Sequence, residues 1–239
     1  MTISIIVPVF NEEKTVIAVL EKLKKLNLEK SNKEIIVVDD GSTDNTPFLI
    51  DKYLKTKGVL NIVFHKHKKN LGKGSAVKSG IAHATGDYVI IQDADLEYNS
   101  EDIKKLVTLI SPTSQVIYGT RLNRLPNIFK EEKELLFLLH FIGNRGLSLV
   151  TSILYGQWIT DMETCYKLFP RKALENINLR ARGFEFEPEI TAKLMKLGYK
   201  IRETPITTTP RGYKEGKKLH TISDGTRAVW SLLKYRFVN

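Results

Sequence analysis

Asp93 and Asp95 flank the small Ala94 and follow directly on the apolar run Tyr88-Val89-Ile90-Ile91-Gln92. Two carboxylates so spaced, just past a strand, face one cleft when the backbone turns. Such a pair can hold a hard divalent cation that bridges two phosphates, because Mg2+ and Mn2+ prefer oxygen ligands and keep several waters. Glu97, two residues on, adds a third carboxylate. Asp-x-Asp alone is as readily a solvated acidic turn. Here two further apolar runs also end in acidic groups, Asn11-Glu12 after Thr2 to Val9 and Asp39-Asp40 after Glu34 to Val38. That coincidence turns a weak motif into a candidate cleft.

The opposite charge is plentiful: 37 Lys and Arg stand against 27 Asp and Glu, for a net charge of +10. A basic chain meets nucleic acid, an anionic membrane or a phosphorylated substrate. One basic cluster, Lys66, Lys68, Lys69, Lys73 and Lys78, reads as a solvated face; a second, Arg211, Lys214, Lys217 and Lys218, is interspersed with Gly212 and Gly216, which would give a loop hinge freedom. A nucleic-acid-binding module is disfavoured by the acidic strand ends and by the lack of aromatic-basic interleaving. No G-x-G-x-x-G follows the first strand, which argues against a dinucleotide-dependent oxidoreductase. The single cysteine, Cys165, excludes an internal disulfide, and no signal peptide precedes the first apolar run.

These groups need a scaffold, and its pattern alternates. Strands are expected at Thr2 to Val9, Glu34 to Val38, Val59 to Phe64 and Tyr88 to Gln92. Helices are expected after Asn11 as N-cap, over Thr43 to Lys55 and over Gly74 to Ala84. Strand and helix alternating in this way give a mostly parallel sheet with helices on both faces, in which ligands sit beyond the carboxyl ends of the strands. Further on, Glu101 to Ile110, Arg171 to Asn176, Pro188 to Leu197 and Asp224 to Tyr235 read as helices, and Gln115 to Gly119 and Lys200 to Ile206 as strands. No domain boundary stands out.

Several motifs carry a resemblance: Val7-Pro8-Val9-Phe10-Asn11-Glu12, Val37-Val38-Asp39-Asp40-Gly41-Ser42-Thr43-Asp44, Asn70-Leu71-Gly72-Lys73-Gly74, Ala84-Thr85-Gly86-Asp87 and Asp93-Ala94-Asp95. In order and spacing the chain resembles family 2 glycosyltransferases. The later segments Gly119-Thr120-Arg121, Asn144-Arg145-Gly146, Asp161 to Phe169, Gly183-Phe184-Glu185-Phe186-Glu187 and Arg211 to Lys218 are similar to the dolichyl- or polyprenyl-phosphate sugar synthases.

The resemblance implies a GT-A fold, an αβα sandwich, as one domain over 1–239 with a nucleotide-sugar half (1–120) and an acceptor half (121–239). It implies that Pro8, Phe10, Glu12, Val38 and Asp40 line the base and ribose pocket, that Asp93 and Ala94 meet the nucleotide, and that Asp95 binds Mg2+ or Mn2+. Glu97 stands where this branch often has Gln, and is a second candidate ligand. Arg211 and Lys217 would close over the diphosphate, where cationic groups stabilise the departing charge.

Leu135 to Ile142 and Leu147 to Tyr155 are apolar runs separated by Gly143-Asn144-Arg145-Gly146. Each is far short of the ~20 residues that span a bilayer, so a helical hairpin is expected. It either packs on the sheet with Arg145 paired to a carboxylate, or dips into the headgroup region with Arg121 and Arg145 on a lipid phosphate. The resemblance favours the second, with a peripheral position on the cytoplasmic face of a membrane and an amphipathic C-terminal helix. The reaction so implied is inverting transfer of a hexose from a GDP- or UDP-sugar to a polyprenyl phosphate. That acceptor is already ionised and needs no strong base. Transfer to a glycan or protein hydroxyl remains the alternative, with Asp161 as candidate base. Nucleotidyl transfer would call for a Gly-rich basic loop after the first strand, where this chain has Asn11-Glu12-Glu13-Lys14.

Overall fold

β1 (Thr2–Val9) is buried almost throughout, as an unalternating β-branched run must be when both faces of a parallel sheet are covered. It pairs in parallel with β2 (Asn32–Asp39) on one side and β4 (Tyr88–Ile91) on the other. Beyond β2 lies β3 (Ile62–Lys66), also parallel. The other half of the sheet holds β6 (Lys167–Pro170), β5 (Val116–Thr120) and β7 (Ile201–Pro205), in the overall order β3-β2-β1-β4-β6-β5-β7. Among the described residues β6 alone runs antiparallel to its neighbours. The computed structural model describes residues 1–56, 62–122, 135–209 and 221–238, with side chains of 135–140 and 221–224 left aside.

Helices α1 (Val16–Lys25), α2 (Thr46–Leu54), α3 (Lys73–His83) and α4 (Asp102–Thr108) follow β1 to β4 in turn. α3 packs on β1 and β2. The approach is so close that a Cβ on Gly80 would sit 2.4 Å from Ile6 Cγ2. The second half supplies α5 (Leu135–Tyr155), a 3-10 turn (Arg171–Asn176), α6 (Phe186–Lys196) and α7 (Thr221–Phe237), and α7 packs on both α5 and α6. This is the expected α/β architecture with a mostly parallel sheet.

Three expectations change. The hairpin is one helix: α5 runs through Gly143-Asn144-Arg145-Gly146 without a break. Each glycine costs only about 1 kcal/mol against alanine in a helix, which the packing of Leu147, Val150 and Leu154 on the core offsets. Asn11 is not the cap of α1, which starts five residues later with Thr15 at its N-cap position. Asn11 instead takes a left-handed conformation (φ 51°) and its Oδ1 accepts from Thr43 N at 2.8 Å. β6 is a strand that local pattern does not announce, four residues long, beginning in a lysine and ending in a proline. The remaining boundaries move by a few residues.

Candidate active site

The topology puts the ends of β1, β2 and β4 side by side, because β1 lies between the other two. The loops that follow β1 and β2 are tied to each other. Asn11 N donates to Ser42 Oγ at 2.9 Å, Glu12 N to Thr46 Oγ1 at 2.9 Å and Asn45 N to Glu13 Oε2 at 3.1 Å. Of the expected pocket residues, Pro8 and Val38 are direct cross-strand partners; Val38 is wholly buried, while Pro8 and Phe10 are half-buried. Glu12 is buried, and its Oε2 accepts from Thr15 Oγ1 at 2.9 Å.

Asp40 turns its carboxylate onto the segment before α3. It accepts from His67 Nδ1 at 2.7 Å, Leu71 N at 3.0 Å and Gly72 N at 2.7 Å. Gly72 is required there: its φ is +96°, and a Cβ would meet Arg182 O at 2.4 Å. Asp39 points to the other face of β2, as alternation demands. Its Oδ1 accepts from Ser42 N at 3.0 Å, whereas its buried Oδ2 has no donor among the described residues. Asp40 is the expected pocket residue of this motif; the adjacent Asp39 is not among those expected, and no local pattern marks its open oxygen.

Past β4, Asp93 is paired with Lys73, whose Nζ lies 2.9 Å from Oδ1 and 3.1 Å from Oδ2. Lys73 also reaches Glu187 Oε1 at 3.6 Å, and Glu187 Oε2 takes the fully buried Lys167 Nζ at 2.6 Å. Burial alone would lower the Lys73 ammonium. Asp93, Cys165 and Glu187 outweigh it and hold the group well above the ordinary lysine range. Lys73 had been grouped with surface lysines, and Lys66, Lys68 and Lys69 are indeed exposed. What singles it out is its place in the Asn70 to Gly74 motif, which only folding brings to Asp93.

Ala94 is buried; Leu96 takes a left-handed φ of 65°, and Asp95 Oδ1 accepts from Glu97 N at 3.0 Å. Glu97 O accepts from Thr209 N at 2.8 Å, and Tyr98 bridges Thr208. Thr209 stands two residues before Arg211 in sequence; Arg211 and Lys217 themselves lie outside the described residues. Among the described residues no three His, Cys, Asp or Glu side chains converge as metal ligands. The donors on this turn are carboxylate oxygens, the type that hard cations take. A Mg2+ or Mn2+ here would use one or two of them, from Asp95 and Glu97, and complete its shell with phosphate oxygens and water, the usual pattern for Mg2+ with phosphate ligands.

The two expected acceptor arginines meet on one segment, Thr160-Asp161. Arg121, just past β5, makes a bidentate pair with Asp161 through Nε and Nη2, both at 2.8 Å. Arg145, from α5, donates through Nη1 to Thr160 O at 3.3 Å. Asp161 is wholly buried, and Glu203 orients its segment by accepting from Thr160 N and Asp161 N. Burial works against the Arg121 guanidinium, but Asp161 beside it keeps it well above its normal range. From Asp161 the chain crosses to Cys165, whose N donates to Tyr98 Oη at 3.0 Å and whose Sγ lies 3.6 Å from Ile91 O. Segment 161–165 thus links the Arg121 pair to residues on either side of the acidic triplet, and Arg121 also lies over the Tyr98 ring at 5.9 Å. Glu185 caps its own turn, accepting from Arg182 N and Gly183 N, both at 3.1 Å.

Besides the core-facing Leu147, Val150 and Leu154, α5 turns a second set of apolar residues outward. Ile142, Leu149 and Ile153 are exposed, Ile153 at 73%, while Ser148, Thr151 and Ser152 are buried. These hydroxyls stay satisfied by donating to backbone carbonyls four residues back. Trp158 follows at 68% exposure, and α7 adds Trp230, Leu233 and Phe237 at spacings of three and four. No helix among the described residues is long and apolar enough to cross a membrane.

Residues 4–177 match the family model described as "Glycosyl transferase family 2". The chain is 33% identical over 225 residues to a UDP-N-acetylglucosamine--dolichyl-phosphate N-acetylglucosaminyltransferase of Methanococcus voltae, covering 86% of this chain and 85% of that protein. It is 28% identical to a dolichyl-phosphate beta-glucosyltransferase of Dictyostelium discoideum, over 98% of this chain and 74% of the relative. Among solved structures, glucosyl-3-phosphoglycerate synthase from Mycobacterium tuberculosis, in complex with Mn2+, UDP and phosphoglyceric acid, superposes with a TM-score of 0.71 at 19% identity, over 100% of this chain and 79% of that one.

Proposed function

The chain belongs to glycosyl transferase family 2, and from that premise we propose that it moves a hexose from a nucleotide-sugar to the phosphate of a polyprenyl or dolichyl carrier, with inversion, at a membrane surface. It is a glycosyltransferase of GT-A-like α/β fold; donor and acceptor are the proposal. The observation that carries it is the meeting of Arg121 and Arg145 on Thr160-Asp161, across segment 161–165 from the acidic triplet. Asp161 is taken up by Arg121 and Glu203 by the backbone N–H groups of Thr160 and Asp161, so Arg145 meets this segment only through a backbone carbonyl. Guanidinium donors not used within the protein suit a phosphate. Two relatives named as dolichyl-phosphate transferases, each matched over most of this chain, support the same acceptor class.

In this reading residues 1–120 hold the donor and 121–239 the acceptor. The ends of β1 and β2, with Pro8, Phe10, Glu12, Val38 and Asp40, form the base and ribose wall, and the unpartnered Asp39 Oδ2 offers an acceptor for a base N–H or a hydroxyl. Asp93 meets the nucleotide beside Ala94, while Lys73 fixes its orientation. Asp95 and Glu97 would hold Mg2+ or Mn2+. When bound, the cation supplies positive charge to the departing diphosphate. Arg211 and Lys217, which follow Thr209 in sequence, would add theirs. The hydroxyl-acceptor alternative needs a free carboxylate base. Its candidate, Asp161, is buried and engaged with Arg121, which favours an acceptor that arrives already ionised.

The exposed stripes of α5 and α7 support a peripheral membrane position. Apolar patches of this kind, flanked by Arg227, Lys234 and Arg236, suit an anionic interface with the side chains reaching into headgroups. We place this contact on the cytoplasmic face. The test is incubation with GDP- and UDP-sugars, Mg2+ or Mn2+ and a polyprenyl phosphate, with mass spectrometry of the lipid fraction. A glycosylated lipid phosphate is expected. Transfer to a soluble glycan with inert polyprenyl phosphate would overturn the reading.

A further inference from the structure

Three buried oxygens near segment 161–165 have no hydrogen-bond donor among the described residues: Glu163 Oε1, Thr164 Oγ1 and Glu187 Oε1. Unmet acceptors of this kind are costly, and native structures keep them only for a reason. In this structure the nearby cations direct their hydrogen bonds elsewhere. Lys167 Nζ spends its three protons on Met162 O (2.8 Å), Thr164 O and Glu187 Oε2 (2.6 Å). Lys73 Nζ is committed to both oxygens of Asp93, and stays 3.6 Å from Glu187 Oε1. Arg121 gives Nε and Nη2 to Asp161.

The position of Glu163 is as informative as its chemistry. It is the midpoint of the segment that begins at the Arg121 pair and ends at Cys165, against Tyr98 and the last residue of β4. It is half-buried rather than sealed, and the soft terminal torsion of a glutamate can turn either oxygen outward. Where donor diphosphate and acceptor phosphate face each other, the group between them is the one transferred. A hexose is rich in O–H donors, the partner that these three acceptors lack among the described residues.

We infer that Glu163, with Thr164 and Glu187 beside it, is a sugar-reading subsite: a specificity-determining residue that accepts hydrogen bonds from hydroxyls of the transferred hexose. This rests on the transfer reaction proposed above, though not on which lipid accepts. A site built to bond a hydroxyl rejects an analogue that misplaces it, because its buried acceptor is then left empty. The same emptiness makes the free protein less stable than it could be, so relieving it should cost selectivity rather than stability.

The experiment measures kcat/KM for two donors that share a nucleotide and differ at one sugar hydroxyl, such as UDP-glucose and UDP-galactose or the matching GDP-sugars. It compares the native protein, Glu163→Gln and Thr164→Val, with free nucleoside diphosphate binding and Tm recorded alongside. Discrimination between epimers should narrow by about tenfold or more in Glu163→Gln and by a smaller factor in Thr164→Val. Nucleoside diphosphate affinity should stay within about twofold and Tm should hold or rise. Unchanged discrimination in both variants would overturn the inference. So would a parallel loss of discrimination, nucleotide affinity and Tm, which marks a merely structural role. If the native protein transfers from no donor, the proposed function fails first and the inference falls with it.

Discussion

At the ends of β1, β2 and β4 most carboxylates already have protein donors. Asp40 takes three, Glu13 and Asp44 hold the neighbouring loop, and Asp93 is paired with Lys73. Asp39 Oδ2 is the exception. Around β5, β6 and α6 most carboxylates are engaged as well, Asp161 by Arg121 and Glu189 by Lys193, but oxygens of Glu163, Thr164 and Glu187 have no donor among the described residues, and α5 and α7 turn apolar residues to solvent. In the proposed reaction, charge leaving with the diphosphate would meet fixed dipoles at the ends of β1, β2 and β4. On the inference above, the open acceptors around Glu163 would be met by the bound sugar.

Breaking the donor end should cost most. Asp95→Ala is expected to lower metal-dependent turnover by about 10²–10³-fold, a loss typical of removing one electrostatic stabiliser of a developing charge. Turnover titrated with Mn2+ checks it, and full activity would remove Asp95 from the metal site. Lys73→Met leaves Asp93 without its ammonium partner and Glu187 with Lys167 alone. Because Lys73 and Asp93 keep side-chain exposures of 17% and 21%, the loss should be about 2–3 kcal/mol, or roughly 5–10 °C in Tm for a chain of this size. A Tm within 2 °C of native would mean that this pair adds little.

The acceptor end should respond to pH. Burial, followed by the opposing fields of Lys167 and Glu187, raises the Glu163 carboxyl from 4.5 to about 7. A carboxyl raised on folding favours the protonated native state. Its contribution is therefore intact below about 4.5 and is lost as pH climbs through about 7. The span corresponds to at most about 3 kcal/mol. Denaturant unfolding between pH 5 and 8 should show a decline in the native protein that is blunted in Glu163→Gln; parallel curves would contradict it. The smallest effect on folding belongs to the surface. Ile153→Ser with Phe237→Ser should leave Tm within about 1 °C yet weaken sedimentation with anionic vesicles severalfold. Unchanged vesicle binding would remove this face from the membrane contact.

How much of this the sequence carries follows the same division. Parallel strands announce themselves as unbroken apolar runs, so β1, β2 and β4 and their acidic ends could be read directly. The partners of those ends could not, because Lys73 and Asp93 lie twenty residues apart and become neighbours only through the sheet order. β6 escaped because a four-residue strand with a buried lysine has no local signature. α5 misled through its glycines, whose cost is local while the packing that offsets it is tertiary. Glu163 was hidden for a further reason: a missing partner is a property of three dimensions, and no residue pattern records it.

The account rests most on the two ends being separable, with Arg145 serving the acceptor alone. Steady-state kinetics of Arg145→Ala with a polyprenyl phosphate and a nucleotide-sugar test this directly. The expected result is a rise of about 10–100-fold in acceptor KM, the size of a lost charge-assisted phosphate contact, with donor KM unchanged. An unaltered acceptor KM, or an equal rise for both substrates, would contradict it.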